Sequence, residues 1–278
     1  MLIRNLEEEL EAALFERSSR GVEPTPAGRR LYGHAVAMLR RAEEAKGEIK
    51  ALAGSVAGSL RVGLMPTFTR GLLAPVLGPY LADFPEVDLS VIEAYSAVLE
   101  EQVASGELDL AVVPHAGHRE KLRARPLGRD REILVLRAGG AVPHLAPVRL
   151  GDLAPLRLVL PARGNARRDR LEELFGSLGL PVAAILDMDA MIATLEFVAS
   201  SDWATILPQT ICSNDLDGRL RSLHPIVSPE LTVGYAVVES ARHATSAAAA
   251  RFLERLEAEY AQSQEAWARV LSQGYQPD

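Results

Sequence analysis

Hydroxyl side chains stand just past the ends of two apolar runs in this chain, where a small anion is easily held. Thr67 follows LRVGLMP (60–66) and Ser96 follows DLSVIEAY (88–95). A hydroxyl between a strand and a helix can cap that helix or bond a ligand. The free amides and the helix dipole beside it favour negative charge. His115 follows LDLAVVP (108–114) in the same way, and Pro66 flanks Thr67. Farther along, Arg163 follows LRLVLP (156–161), with Asn165 and Arg167 at another helix start, and one of these could pair with a carboxylate. Met188, Ile206 and Pro208 close the remaining apolar runs and suit the greasy side of a pocket. Together these residues predict a site for a small, partly apolar organic acid.

Other constellations carry less. His115 and His118 have a metal-like spacing but no companion cysteine or acidic pair, so no metal is expected. Asp187 and Asp189 share a strand face around Met188, and one is expected to cap the next helix rather than move protons. Cys212 is the single cysteine; it has no evident base and reads as packing. No phosphate-binding GxxxxGK[ST] loop, GxSxG elbow or dinucleotide fingerprint occurs, so neither a cofactor nor an enzyme is expected.

The elements that would position these residues follow from periodicity. LRVGLM (60–65) reads as a strand, and Leu73, Val76, Leu77, Tyr80, Leu81 and Phe84 share one helix face until Pro85 stops it. DLSVIEA (88–94) is a second strand, a helix runs from Ser96 to Gly106, and LDLAVVP is a third strand. Such alternation predicts a mostly parallel sheet with ligands at the carboxyl ends of its strands. The segment 115–131 is polar and basic, REILVLR (131–137) is a strand, and 139–147 is a loop. From Leu156 the rhythm repeats: LRLVLP, a helix around Leu171, Leu174 and Phe175, VAAILDM (182–188), a helix from Asp189 to Ser200, and WATILP (203–208). LRSLHPIV and LTVGYAVVE supply further strands, and Ala248, Phe252 and Leu256 mark a final helix packed on one lobe, before a frayed SQGYQPD. Two lobes result, one of about 59–136 and 226–262, the other of about 137–225, joined twice as in a hinged cleft.

At 278 residues, 48% hydrophobic and 24% charged, the chain can bury a full core without staples. The N-terminus lacks a signal-peptide layout and no apolar run reaches about 18 residues, so a cytoplasmic protein is expected. A net charge of -7 argues against a chain that binds nucleic acid over its whole surface.

Residues 1–54 differ in character. Ile3, Leu6, Leu10 and Leu14 lie on one helix face, and Ser18-Ser19-Arg20-Gly21 is the turn of a small hairpin carrying Arg17 and Arg20. Thr25-Pro26 then starts a helix in which Leu31, Ala35, Met38, Ala42, Ala45, Ile49 and Leu52 form a heptad seam. That seam should pair with its own copy in a homodimer, and Gly54 to Gly58 is a small-residue hinge beyond it.

The pattern Ile3, Leu6-Glu7, Leu10, Leu14-Phe15, Arg17, Arg20, Thr25, Ala27-Gly28 and Leu31 resembles the LysR-type transcriptional regulators. LRVGLMPT, FPEVDL, SGELDLAVVP and ATILP continue the resemblance over nearly the whole chain. It implies a remnant winged helix-turn-helix (1–25), a dimerising linker helix (26–54) and a two-lobed α/β effector domain like the type 2 periplasmic binding proteins (55–278), assembled as a homotetramer. It also implies that Arg17, Arg20, Arg29 and Arg30 meet promoter DNA phosphates, contacts that position without reading sequence. The family's first two helices and most of its DNA-reading helix would precede Ile3, so weak or absent specific binding is expected of this chain. Residues 1–50 hold nine basic and nine acidic side chains, with no net attraction to DNA. Glu11 stands where the family has glycine, from which a shifted helix end is expected. A transporter's solute-binding protein would share the lobes but not the heptad helix, and a family member that binds a ligand with little DNA activity is a further alternative.

Overall fold

The computed structural model describes residues 2–18, 21–52, 55–114, 121–153, 155–242 and 244–274. Helix α1 (Leu2–Glu9) leads into a hairpin of β1 (Phe15–Ser18) and β2 (Gly21–Pro24), then the 27-residue α2 (Pro26–Leu52). Glu11 keeps the left-handed backbone of a helix-ending glycine. Ala12 N donates to Glu7 O at 3.1 Å, Glu11 N to Glu8 O at 3.4 Å, and Glu11 itself adopts φ of 49°. This is the Schellman arrangement, with a glutamate in the left-handed position that glycine usually fills. Glu7 holds it there, because its Oε1 accepts from Leu14 N at 2.7 Å and Phe15 N at 3.2 Å. Thr25 begins α2 as expected: its Oγ1 accepts from Gly28 N at 3.0 Å and donates to Ala13 O at 2.7 Å. A Cβ on Gly28 would lie 2.1 Å from Leu14 O, so only glycine lets this helix start seat on the chain after α1.

The first lobe contains β3 (Gly58–Leu64), α3 (Pro66–Gly71), α4 (Leu73–Asp83), β4 (Val87–Glu93), α5 (Ser96–Ser105) and β5 (Leu110–Pro114). Strand β6 (Leu122–Arg137) then crosses into the second lobe, built from β7 (Val148–Arg149), β8 (Leu156–Leu160), α6 (Ala166–Ser177), β9 (Val182–Asp187), α7 (Met191–Ser200), β10 (Thr205–Pro208) and β11 (Arg221–Ser228). The chain returns through β12 (Thr232–Ser240) and ends in α8 (Ala247–Gly274). The main sheet runs β4-β3-β5-β12-β6-β11-β7, with β10 also on β6. Leu122 to Arg131 of β6 pair with β12 in the first lobe, while later residues pair with β10 and β11 in the second. The lobes are therefore joined by β6 outward and by β11–β12 on return.

Several expectations need correcting. The main sheet is mixed rather than mostly parallel: β3–β4, β3–β5 and β7–β11 are parallel, as is the separate two-stranded β8–β9 sheet, but β12 and β6 pair antiparallel with their neighbours. Segments that cross between lobes in opposite directions can pair only that way. Strand β6 begins at Leu122, not Arg131, because its first half is an exposed edge whose polar run lacks a buried face. A break at Leu72 divides α3 from α4. Strand β11 stays in the second lobe through Ser228, beyond the expected boundary at 226.

The final helix also differs. Spanning 28 residues, or about 42 Å at its normal rise, α8 packs Phe252, Leu256 and Tyr260 into the first lobe's core, and continues through Ser272 to Gly274. Its distal Trp267, 1% exposed, is buried with Val135, Leu207 and Leu223 of the second lobe, and Trp267 Nε1 donates to Ser213 Oγ at 3.0 Å. It clasps both lobes.

Candidate functional site: the cleft between the lobes

The strands of both lobes end around a cavity of about 870 Å³. Pro66, Thr67, Ser96, Met188, Ile206 and Pro208 all line it. Thr67 is the second residue of α3 and Ser96 the first of α5, yet neither hydroxyl caps its helix. The capping positions belong to Met65 and Tyr95, and no side-chain cap bond forms at either. The opening amides of α5 have no partners inside the helix, so its positive end lies at Ser96 on the cavity wall.

Arg163 does not join them. Gly164, at φ of 86°, and the Asn165 cap, whose Oδ1 accepts from Arg167 N at 3.0 Å, turn the chain so that Arg163 is exposed outside the cavity. The cation that reaches the cleft is Arg167, and it is already engaged. Its Nη1 and Nη2 donate to Glu132 Oε1 and Oε2 at 2.8 and 2.6 Å, and Nη2 also donates to Ile206 O at 2.6 Å. Burial works against the guanidinium's charge, but Glu132 outweighs it and holds the group more firmly protonated than usual. An entering carboxylate thus meets a neutralised pair, and breaking such a buried pair costs about 3–5 kcal/mol. Amides, hydroxyls and apolar wall must do most of the binding.

Glu132, Tyr95 and Tyr235 line the cavity without having been picked out as site residues in the sequence. Burial, with the nearby charges of Asp189 and Glu93, raises the Tyr95 phenol above its ordinary pKa. Tyr235 is 2% exposed and its hydroxyl has no hydrogen-bond partner among the described residues.

His115 and His118 lie outside the described residues, among which no cluster of histidine, cysteine and carboxylates could hold a metal. Neither Asp187 nor Asp189 caps α7, whose capping residue is Ala190 without a side-chain bond. Asp187 instead pairs with Arg168, and Asp189 Oδ1 accepts from Ala162 N at 3.0 Å, tying the two strand ends of the cleft together. Cys212 is fully buried, and burial followed by the Asp215 charge pushes its thiol well above the ordinary value, which leaves it inert.

Behind the cleft the lobes are strapped. Asp130 Oδ1 accepts from Thr210 Oγ1, Tyr260 OH and Gln264 Nε2 at 2.9, 2.9 and 2.8 Å, and Oδ2 accepts from Thr210 N at 3.1 Å. Arg70, on the helix that carries Thr67, reaches across to Asp215 Oδ2 at 2.8 Å and to Ile211 O. A Cβ on Gly71 would lie 2.3 Å from Thr210 O, so backbone meets backbone there. A second cavity of about 980 Å³ lies beside this strap, but Asp130, Gln209 and Gln264 on its wall already bond to their neighbours.

At the N-terminal end, Arg29 Nη1 donates to Pro24 O at 2.6 Å and braces the hairpin, while Arg30 is exposed. The Arg17 side chain and all of Arg20 lie outside the described residues. Along the seam Leu31 and Ala35 are half-buried, and Ala42 and Ala45 are exposed, as are Met38 (64%) and Ile49 (68%); the Leu52 side chain is not described. No helix among the described residues is long and apolar enough to cross a membrane.

Comparison with known proteins gives two family matches: the LysR substrate binding domain over residues 53–261, and the bacterial regulatory helix-turn-helix protein, lysR family, over residues 1–29. The HTH-type transcriptional regulator BbuR of Bordetella bronchiseptica is 35% identical over 215 residues, 77% of this chain and 66% of BbuR. The chain thus spans about two thirds of that relative's length. Full-length CbnR in complex with its target DNA is similar in fold, with TM-score 0.65 and 19% identity over 92% of this chain and 87% of CbnR. The effector-binding domain of BenM with its effector benzoate aligns at TM-score 0.61 and 15% identity, over 79% of this chain and 95% of that domain.

Proposed function

This chain belongs to the LysR family of bacterial transcriptional regulators, and from that premise we propose that it is a cytoplasmic, effector-responsive DNA-binding transcription factor that senses a small, partly apolar organic acid. The observation that carries this reading is the cleft itself: Thr67 and Ser96 stand at helix starts that their hydroxyls do not cap, on the wall of a largely apolar cavity between two lobes. BenM, similar in fold, takes benzoate as its effector, a ligand of the same chemical class. An effector acts by binding one lobe arrangement more tightly than another, and the difference is passed to the N-terminal segment through α2. The exposed Met38 and Ile49 side suits pairing of α2 with its copy, and a homotetramer built from such pairs would set two DNA-binding units on one promoter. Arg17, Arg20, Arg29 and Arg30 would then lie against phosphates.

Calorimetric titration with benzoate, hexanoate and succinate tests the sensor. At least one monocarboxylate should bind, and Thr67→Val should weaken it about fivefold or more, the loss of one hydrogen bond. Silence across the panel would refute the organic-acid reading. A second reading, a ligand-binding module with little attachment to DNA, is favoured by the nine basic and nine acidic side chains of residues 1–50. A band-shift series at rising salt separates the two, since phosphate contacts give a steep salt dependence and their lack gives none.

A further inference from the structure

Tyr235 is a large polar side chain on the cleft wall whose hydroxyl meets no partner in full hydrogen-bond geometry among the described residues. Its ring is fixed by an edge-on contact with Phe68, centroids 4.9 Å apart at 84°, and by strand pairing of β12 on both sides. Thr67, Glu132 and Arg167, which act on the phenol together with Asp130, also line the cleft. Thr67 is the neighbour placed to share a hydrogen bond with the phenol, but the pair falls short of full hydrogen-bond geometry. Arg167 commits its Nη groups to Glu132 and Ile206 O, and Glu132 has both oxygens occupied. A buried hydroxyl without a partner costs stability, so its retention calls for a partner that arrives from outside.

We infer that Tyr235 is a specificity-determining residue of the cleft: its hydroxyl donates to an oxygen acceptor on the effector, and ligands without an acceptor at that end are rejected. This rests on the organic-acid reading of the same cleft. Donation is the role left to the phenol, because burial, with the charges of Asp130 and Glu132, raises its pKa well above the ordinary value and keeps the proton in place. Discrimination of this kind is strong, since a ligand lacking the acceptor leaves a desolvated donor unpaired. It also fits the neutralised Arg167: orientation comes from a neutral donor, with the α5 amides and Ser96 on the wall of the same cavity.

Tyr235→Phe keeps the ring and deletes the hydroxyl. Two readouts on the full chain are expected to move in opposite directions. Without ligand, the variant's Tm should equal or exceed that of the wild type, because an unpaired polar group has been removed from the interior. With benzoate as the probe, the variant's Kd should rise at least tenfold. Benzylamine, the same ring carrying donors instead of acceptors, should bind wild type more weakly than benzoate does. A lower Tm in the ligand-free variant would show that the hydroxyl is already satisfied and would overturn the assignment. So would an unchanged Kd for benzoate in the variant. If wild type binds no carboxylate of the benzoate, hexanoate and succinate panel at millimolar concentration, or prefers benzylamine to benzoate, the organic-acid reading falls and the assignment falls with it.

Discussion

Glu11 occupies a left-handed backbone position that an L-residue enters only at some cost, and it does so with an exposed side chain. Glu11→Gly should therefore stabilise the α1 turn by about 0.5–1 kcal/mol, read as slower hydrogen exchange of the α1 amides. His224 supplies a second residue-scale test. It is fully buried, its Nδ1 faces Ala146 O at 3.2 Å, and its Nε2 has no partner among the described residues. Burial, together with nearby His144, lowers its pKa below the ordinary 6.5, against a raising contribution from Ala146 O. The unfolded chain then takes up a proton at this site before the folded one does. Stability should be full above pH 6.5, fall as the pH drops below it, and level off once the native ring is also protonated. Urea midpoints across that range should show the slope, and His224→Gln should flatten it. Thr67 and Ser96 could be found from sequence because a strand-to-helix junction has a local signature. Glu132 and Tyr235 could not: each sits inside an apolar strand run, and the partners that make it notable come from distant segments. That Arg163 and Arg167 both lie near a strand end is visible in sequence, whereas the turn made by Gly164 and Asn165 decides which arginine faces inward.

At the scale of elements, the exposed side of α2 is the clearest unspent surface. Met38 and Ile49 on this seam would be costly to leave in water as an ordered stripe, and a second copy would cover them. Ile49→Glu should shift the protein toward monomer in sedimentation velocity while leaving the Tm of the lobes unchanged; retention of the full assembly would remove the seam from the interface. Helix starts with local chemistry, such as Thr25-Pro26, and strand–helix alternation were readable in advance. The first half of β6 was not, because an edge strand paired on one side carries no alternation. The antiparallel centre of the sheet follows from which segments cross between lobes, a property no single segment displays.

On the scale of the whole molecule, the lobes do not swing on a bare hinge. Helix α8 is anchored in both cores, Asp130 binds the crossing strand to Thr210, Tyr260 and Gln264, and Arg70 fastens the Thr67-bearing helix to Asp215. Ligand entry should tighten the cleft mouth by a small rearrangement around a fixed back wall. Sequence reading recovered two lobes joined twice with a cleft between them, but placed α8 on one lobe, since an amphipathic line of Ala248, Phe252 and Leu256 does not reveal where Trp267 will dock. The most direct measurement is hydrogen exchange of the full chain with and without the tightest-binding carboxylate of the panel. Protection should appear together at the starts of α3 and α5 in the first lobe and at α6 and β10 in the second. Protection confined to one lobe, or centred on the rear cavity beside Leu271, would contradict binding between the lobes.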